Sequence, residues 1–142
     1  MDMKIIITFE YQLLIIQIMK ITLIIFRVLL GLLLLFASIS YFFNLVPEPE
    51  QTGAMKQFSD GIKASGYLMP LAKVVELIVG LAYVSGKFMK IANLLLLPIS
   101  INILLINICM MPEGTPIALL LFLGNILFIY KNWASYKDLF TA

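Results

Sequence analysis

Four polar side chains stand inside long stretches that carry no other charge: Arg27 in residues 21–43, Lys73 and Glu76 in residues 68–86, and Asn102 in residues 91–111. An ionisable group at mid-membrane costs at least about 2.5–3.5 kcal/mol on insertion scales, so each needs a partner or a purpose. Arg27, Gly31, Leu34, Ser38 and Tyr41 recur at i, i+4, i+7, i+11 and i+14 and share one helical face. Met69, Lys73, Glu76, Gly80 and Tyr83 repeat the pattern on the next stretch, and small residues on both faces permit close approach. If these faces meet, Glu76 lies opposite Arg27, with Lys73 at i−3 and the central Asn102 closing the cluster. A carboxylate held by cations can accept a proton beside a small polar or quinone-like ligand. The same residues could instead form a structural clasp, since polar contacts between membrane helices contribute about 0.6 kcal/mol each on average. Ser100, Asn107 and Asn125 are weaker additions to either arrangement, and Pro98 frees a backbone carbonyl near Asn102.

Composition removes most other chemistry. With no histidine and Cys109 as its one cysteine, the chain has no bis-histidine haem ligation, Cys/His metal site, internal disulfide or CxxC pair. No metal site is expected, because the eight methionines form no cluster with partners beyond Met110-Met111 and read as apolar filler. Cys109 reads as an ordinary buried thiol. A net charge of +2 without any lysine/arginine run gives no nucleic-acid surface.

The elements that must position these residues are membrane helices. Of 142 residues, 62% are hydrophobic and 13% charged, too little polar material for a soluble surface. A hydrocarbon core about 30 Å thick takes roughly 20 apolar residues in a helix. Residues 21–43, 68–86, 91–111 and 116–130 are four such spans, rich in Leu and Ile without the alternation of a membrane strand. The expected fold is an all-α integral membrane protein, an antiparallel four-helix bundle with the lipid bilayer as its first partner. Residues 44–67 join the first two spans. They open with Val46-Pro47-Glu48-Pro49, which cannot be helical, and then place Met55, Phe58 and Ile62 on one face of a short helix over 53–64. Tight turns at Ser85-Gly86-Lys87 and Pro112-Glu113-Gly114-Thr115-Pro116 make the last three spans antiparallel neighbours.

Basic residues orient the bundle. Lys4, Lys20, Arg27, Lys87, Lys90, Lys131 and Lys137 fall on one side, against Lys56 and Lys63 on the other with Glu48, Glu50, Asp60 and Glu113. Both termini are therefore expected inside. Residues 1–20 are apolar but contain Glu10 and are short for a span of their own. They read as an interfacial helix, an extension of the first span, or sequence upstream of a start at Met19-Lys20, leaving 21–142 as the membrane domain.

Two stretches, Ser65-Gly66-Tyr67-Leu68-Met69-Pro70-Leu71-Ala72-Lys73-Val74-Val75-Glu76 and Leu97-Pro98-Ile99-Ser100-Ile101-Asn102-Ile103-Leu104-Leu105, are similar to a known pattern. With Arg27-Val28-Leu29-Leu30-Gly31 and the closing Tyr130-Lys131-Asn132 to Tyr136-Lys137, they resemble the DoxX family of small bacterial four-span membrane proteins over roughly residues 20–140. The resemblance implies a four-span fold in the bacterial inner membrane. It also implies an association with quinone-linked redox systems, the family name coming from a subunit of a thiosulfate:quinone oxidoreductase. Relatives often carry a histidine after the Asn-x-Leu-Leu stretch. Here that region reads Ile106-Asn107-Ile108, a departure that leaves no histidine for proton chemistry.

Two functions are expected from this reading. One is an accessory subunit of a quinone-linked membrane redox system, with quinone as the cofactor class and a redox enzyme or a second copy as partner. No self-contained enzyme is expected, because the sequence offers no metal ligands, cysteine pair or nucleotide loop. The other is a non-catalytic factor that assists assembly or stability of partner proteins. Transport is disfavoured, as four spans without inverted repeats give little material for alternating access.

Overall fold

The computed structural model describes residues 3–140, so the ends of the expected segments 1–20 and 21–142 lie outside the described residues. Six α-helices follow one another: α1 Met3–Phe43, α2 Gly53–Ser65, α3 Leu68–Ser85, α4 Met89–Met110, α5 Thr115–Lys131 and the single turn α6 Trp133–Tyr136. Among the described residues there is no strand, and four helices are long and apolar enough to cross a membrane. The protein is an all-α membrane bundle, with α2 as the expected short helix of the first loop.

Two of the long helices end on left-handed residues. After Phe43, Asn44 takes a left-handed φ of 50° and Leu45 N–H closes onto the Ser40 carbonyl at 3.0 Å, and Pro47 and Pro49 then forbid continuation. α3 ends at Gly86, whose φ of 75° suits glycine and whose N–H donates to the Ala82 carbonyl at 2.8 Å.

α1 packs along α3, α3 along α4 and α4 along α5, and α5 returns to touch α1. Their shared core is Leu30 and Leu34 of α1, Val79, Ala82 and Tyr83 of α3, Ala92 and Leu96 of α4, and Leu121 and Phe128 of α5. Large apolar residues such as Leu32, Ile78, Leu105 and Leu123 point outward, as lipid-facing side chains do. The α1–α3 contact is set by two reciprocal glycines. A Cβ on Gly31 would lie 3.0 Å from the Gly80 carbonyl oxygen and 2.9 Å from Tyr83 Cβ, and one on Gly80 would lie 3.1 Å from the Gly31 carbonyl oxygen. Only residues without a side chain allow this approach.

α1 has 41 residues, so it is roughly 60 Å long, about twice a hydrocarbon core. The helix runs without a break through Met19-Lys20, and every residue of 3–20 is exposed. Only its second half belongs to the bundle.

Candidate functional site

One end of the bundle carries the loop between α1 and α3, called here the loop end. The other carries the α3–α4 turn and the C-terminal segment. At the loop end α3 begins with Leu68, so Lys73 and Glu76 lie one and two turns inside it. Lys73 Nζ donates to Glu76 Oε2 at 2.8 Å, with 19% of the lysine and 5% of the glutamate side chain exposed. The i, i+3 spacing brings them together on one helix, and their mutual neutralisation keeps a carboxylate in an apolar setting.

Lys73 also lines a cleft of about 460 Å³ enclosed by α1, α2, α3 and the strap of residues 46–49. Val46, Pro47, Ile62, Met69 and Pro70 give it apolar walls, while Ser40, Tyr41, Ser59 and Gln51 add polar groups. Ser40 is 9% exposed, and its Oγ has no hydrogen-bond partner. Two residues earlier, Ser38 behaves in the ordinary helical manner and donates to the Leu34 carbonyl at 2.9 Å. Across the mouth Lys63 of α2 donates to Glu48, an exposed ion pair that ties α2 to the strap. That hydrogen bond holds the lysine pKa above its ordinary value, since it favours the charged form. The cleft thus joins apolar walls, a few polar side chains, and an ammonium backed by a carboxylate.

The four-residue cluster expected from the sequence does not assemble as a unit. Lys73 and Glu76 meet, but Arg27 sits at the opposite end of α3, where a Cβ on Gly86 would fall 2.7 Å from its Nη1. The Gly31–Gly80 contact fixes the α1–α3 register, which leaves Arg27 ten residues along α3 from Glu76, or about 15 Å. There the guanidinium faces the carboxyl end of α3, where the helix dipole favours a cation. Its Nε is buried without a partner. Asn102 is exposed on α4 and closes no cluster, because the inward face of that helix runs through Ala92, Asn93, Leu96 and Ser100. Cys109, expected to be buried, is exposed on the outer face of α4.

The largest polar assembly lies elsewhere, towards the C-terminal end, and includes residues ranked low or passed over in the sequence. Tyr83 Oη donates to Asn93 Oδ1 at 2.7 Å, and Asn93 Nδ2 donates to Tyr136 Oη at 3.4 Å. Tyr136 in turn donates to the Lys90 carbonyl at 2.9 Å. Asn125 Nδ2 donates to the Asn93 carbonyl at 3.0 Å and lies 3.4 Å from Tyr83 Oη, while the Ser100 hydroxyl lies 3.3 Å from Asn125 Oδ1. Asn93, Ser100 and Asn125 are fully buried. This network joins α3, α4, α5 and α6 through buried side chains bonded to one another, which makes it a clasp between helices. An isolated asparagine in an uncharged span was the available signal.

A family model described as DoxX matches residues 22–107, which takes in α3, the cleft residues of α1 and α2, and most of α4. No curated protein and no solved structure matches the chain.

Proposed function

This chain belongs to the DoxX family, and from that premise we propose that it is an accessory subunit of a quinone-linked membrane redox system, with the loop-end cleft receiving a quinone-like head group. The observation that carries this reading is the Lys73–Glu76 pair beside an apolar-walled cleft. A quinone carries electron pairs between membrane enzymes and exchanges protons as it does so. Lys73 can hold an acceptor oxygen with the N–H bonds that Glu76 does not use, and Glu76 can hold a proton at its carboxylate behind it. Among the described residues no group of three or more His, Cys, Asp or Glu could hold a metal ion, so a partner enzyme handles the electrons in this proposal. Family membership implies a bacterial inner-membrane setting, and the distribution of basic residues supports both termini inside. Lys87, Lys90, Lys131 and Lys137 all fall at the end opposite the cleft, which then opens outside.

Solvent extraction and mass spectrometry of the full chain, purified in mild detergent, test this. A retained quinone that is lost in the Lys73→Met/Glu76→Leu double variant is expected. Wild-type protein that carries none from quinone-replete membranes contradicts the reading.

A second reading, a non-catalytic assembly or stability factor, is favoured by the uncovered apolar residues 3–20 of α1. Starting the chain at Met19 separates the two. Quinone retention survives that truncation under the first reading, whereas stabilisation of a redox partner is lost under the second.

A further inference from the structure

Arg27 is a charge without a counter-ion. It is partly buried where α1 meets the end of α3, and its guanidinium lies against the Gly86 turn. Among the described residues it makes no ion pair and no hydrogen bond. Packing closes off Nε, so the edge of the group that remains available is the fork of Nη1 and Nη2 beside Gly86. The described carboxylates are distant or engaged. Glu76 lies about 15 Å away along α3 and Glu10 about 25 Å away along α1, while Asp138 already has a partner and stands next to Lys137. The carboxyl end of α3 supplies only about half a negative charge. A partly buried cation is costly without compensation, so this position calls for an anion.

The surface around it attracts one. Lys87 and Lys90 flank the start of α4 and Lys131 ends α5, all three exposed, and the stacking of Phe26 on Phe128 at 6.1 Å brings that end of α5 beside α1. Aromatic rings stand out among these cations. Phe88 is 79% exposed and takes a left-handed φ of 58°, a conformation unfavourable for a residue with a Cβ, and Tyr130 is 77% exposed. Exposed rings at the end of a membrane bundle sit at the headgroup level, which puts the fork of Arg27 at the depth of lipid phosphates. Towards the membrane interior α1 and α3 expose Leu32, Ile78 and Leu81, an apolar surface for acyl chains.

We propose that Arg27 binds the phosphodiester of an anionic membrane phospholipid, its Nη1 and Nη2 taking two phosphate oxygens while Lys87 and Lys131 add attraction from the rim. A planar fork matches two oxygens where an ammonium offers a point charge, so arginine suits the position better than lysine. The site lies at the end of the bundle opposite the cleft and stands whether or not the cleft receives a quinone.

The test uses the full chain in a neutral detergent, titrated with phosphatidylglycerol, with phosphatidylcholine of the same acyl chains, and with inorganic phosphate. Native mass spectrometry reads bound lipid, and the unfolding temperature reads stabilisation. Phosphatidylglycerol is expected to bind and stabilise, phosphatidylcholine to bind more weakly, and inorganic phosphate alone to give no comparable shift. Arg27→Gln should weaken phosphatidylglycerol binding by about 10-fold or more, the worth of a charge-assisted hydrogen bond, and Arg27→Lys should fall between. Lys56→Gln removes the same charge at the loop end and should leave that binding unchanged, which separates a site from general attraction. The Lys87→Gln/Lys131→Gln double variant alters exposed side chains only and should weaken it by about 5-fold. Where Arg27→Gln does not accumulate, that double variant decides, and unchanged affinity in it contradicts the proposal. Equal binding of the two lipids, unchanged affinity in Arg27→Gln, an equal loss in Lys56→Gln, or equal stabilisation by inorganic phosphate would each overturn it.

Discussion

Lys73 and Glu76 are hydrogen-bonded to each other in an apolar setting, so removing one harms the other. Lys73→Met strands a carboxylate with 5% exposure. Breaking a fully buried pair costs about 3–5 kcal/mol, and the 19% exposure of Lys73 places this one nearer 2–3. Glu76→Gln in the same chain should recover part of the loss in denaturation experiments, because contacting groups couple. Arg27→Met with Glu76→Gln should instead be additive. The i, i+3 pair was legible in the sequence, since one helix fixes it. The position of Arg27 was not legible, because a shared helical face says nothing of how far two helices slide against one another. The clasp around Asn93 was illegible for a related reason: Asn93 and Asn125 are 32 positions apart, and only tertiary packing joins them. Asn93→Leu removes the acceptor of Tyr83 and the donor to Tyr136, and should cost about 1–3 kcal/mol per stranded group with Lys73–Glu76 intact.

Between elements, the register that moved Arg27 is set by Gly31 and Gly80. Gly80→Ala would put a methyl 2.9 Å from Leu35 Cγ and 3.1 Å from the Gly31 carbonyl oxygen. Overpacking of this kind costs about 1–3 kcal/mol, and the better helix propensity of alanine returns about 0.8–1. The net loss should appear as a lower unfolding temperature, whereas Gly61→Ala, with nothing near its Cβ, should be neutral or stabilising. Hydropathy placed the four spans to within a few residues because a membrane helix must be apolar along its length. It did not show that α1 is continuous from Met3 to Phe43. Lys20 reads as a flank in sequence, yet a lysine interrupts no helix.

Across the whole molecule, the loop-end cleft and the Tyr83–Asn93–Asn125 clasp divide the bundle, one end open beside an ion pair and the other tied by side-chain hydrogen bonds. Orientation decides which compartment meets the cleft. With Cys109 replaced by serine, a cysteine at 56 should react with an impermeant maleimide in intact cells and one at 88 only after permeabilisation, and the reverse would invert the topology. Placement of the ligand is the more direct matter. Full-length protein in lipid nanodiscs, irradiated with a photoreactive azidoquinone and mapped by peptide mass spectrometry, should carry label on cleft peptides from the loop end, around Ser40, Tyr41 and Met69. Excess unlabelled quinone and the Lys73→Met/Glu76→Leu substitutions should each suppress that label. Label confined to lipid-facing positions such as Leu105 and Leu123, insensitive to competitor, would contradict the assignment of the cleft as the ligand site.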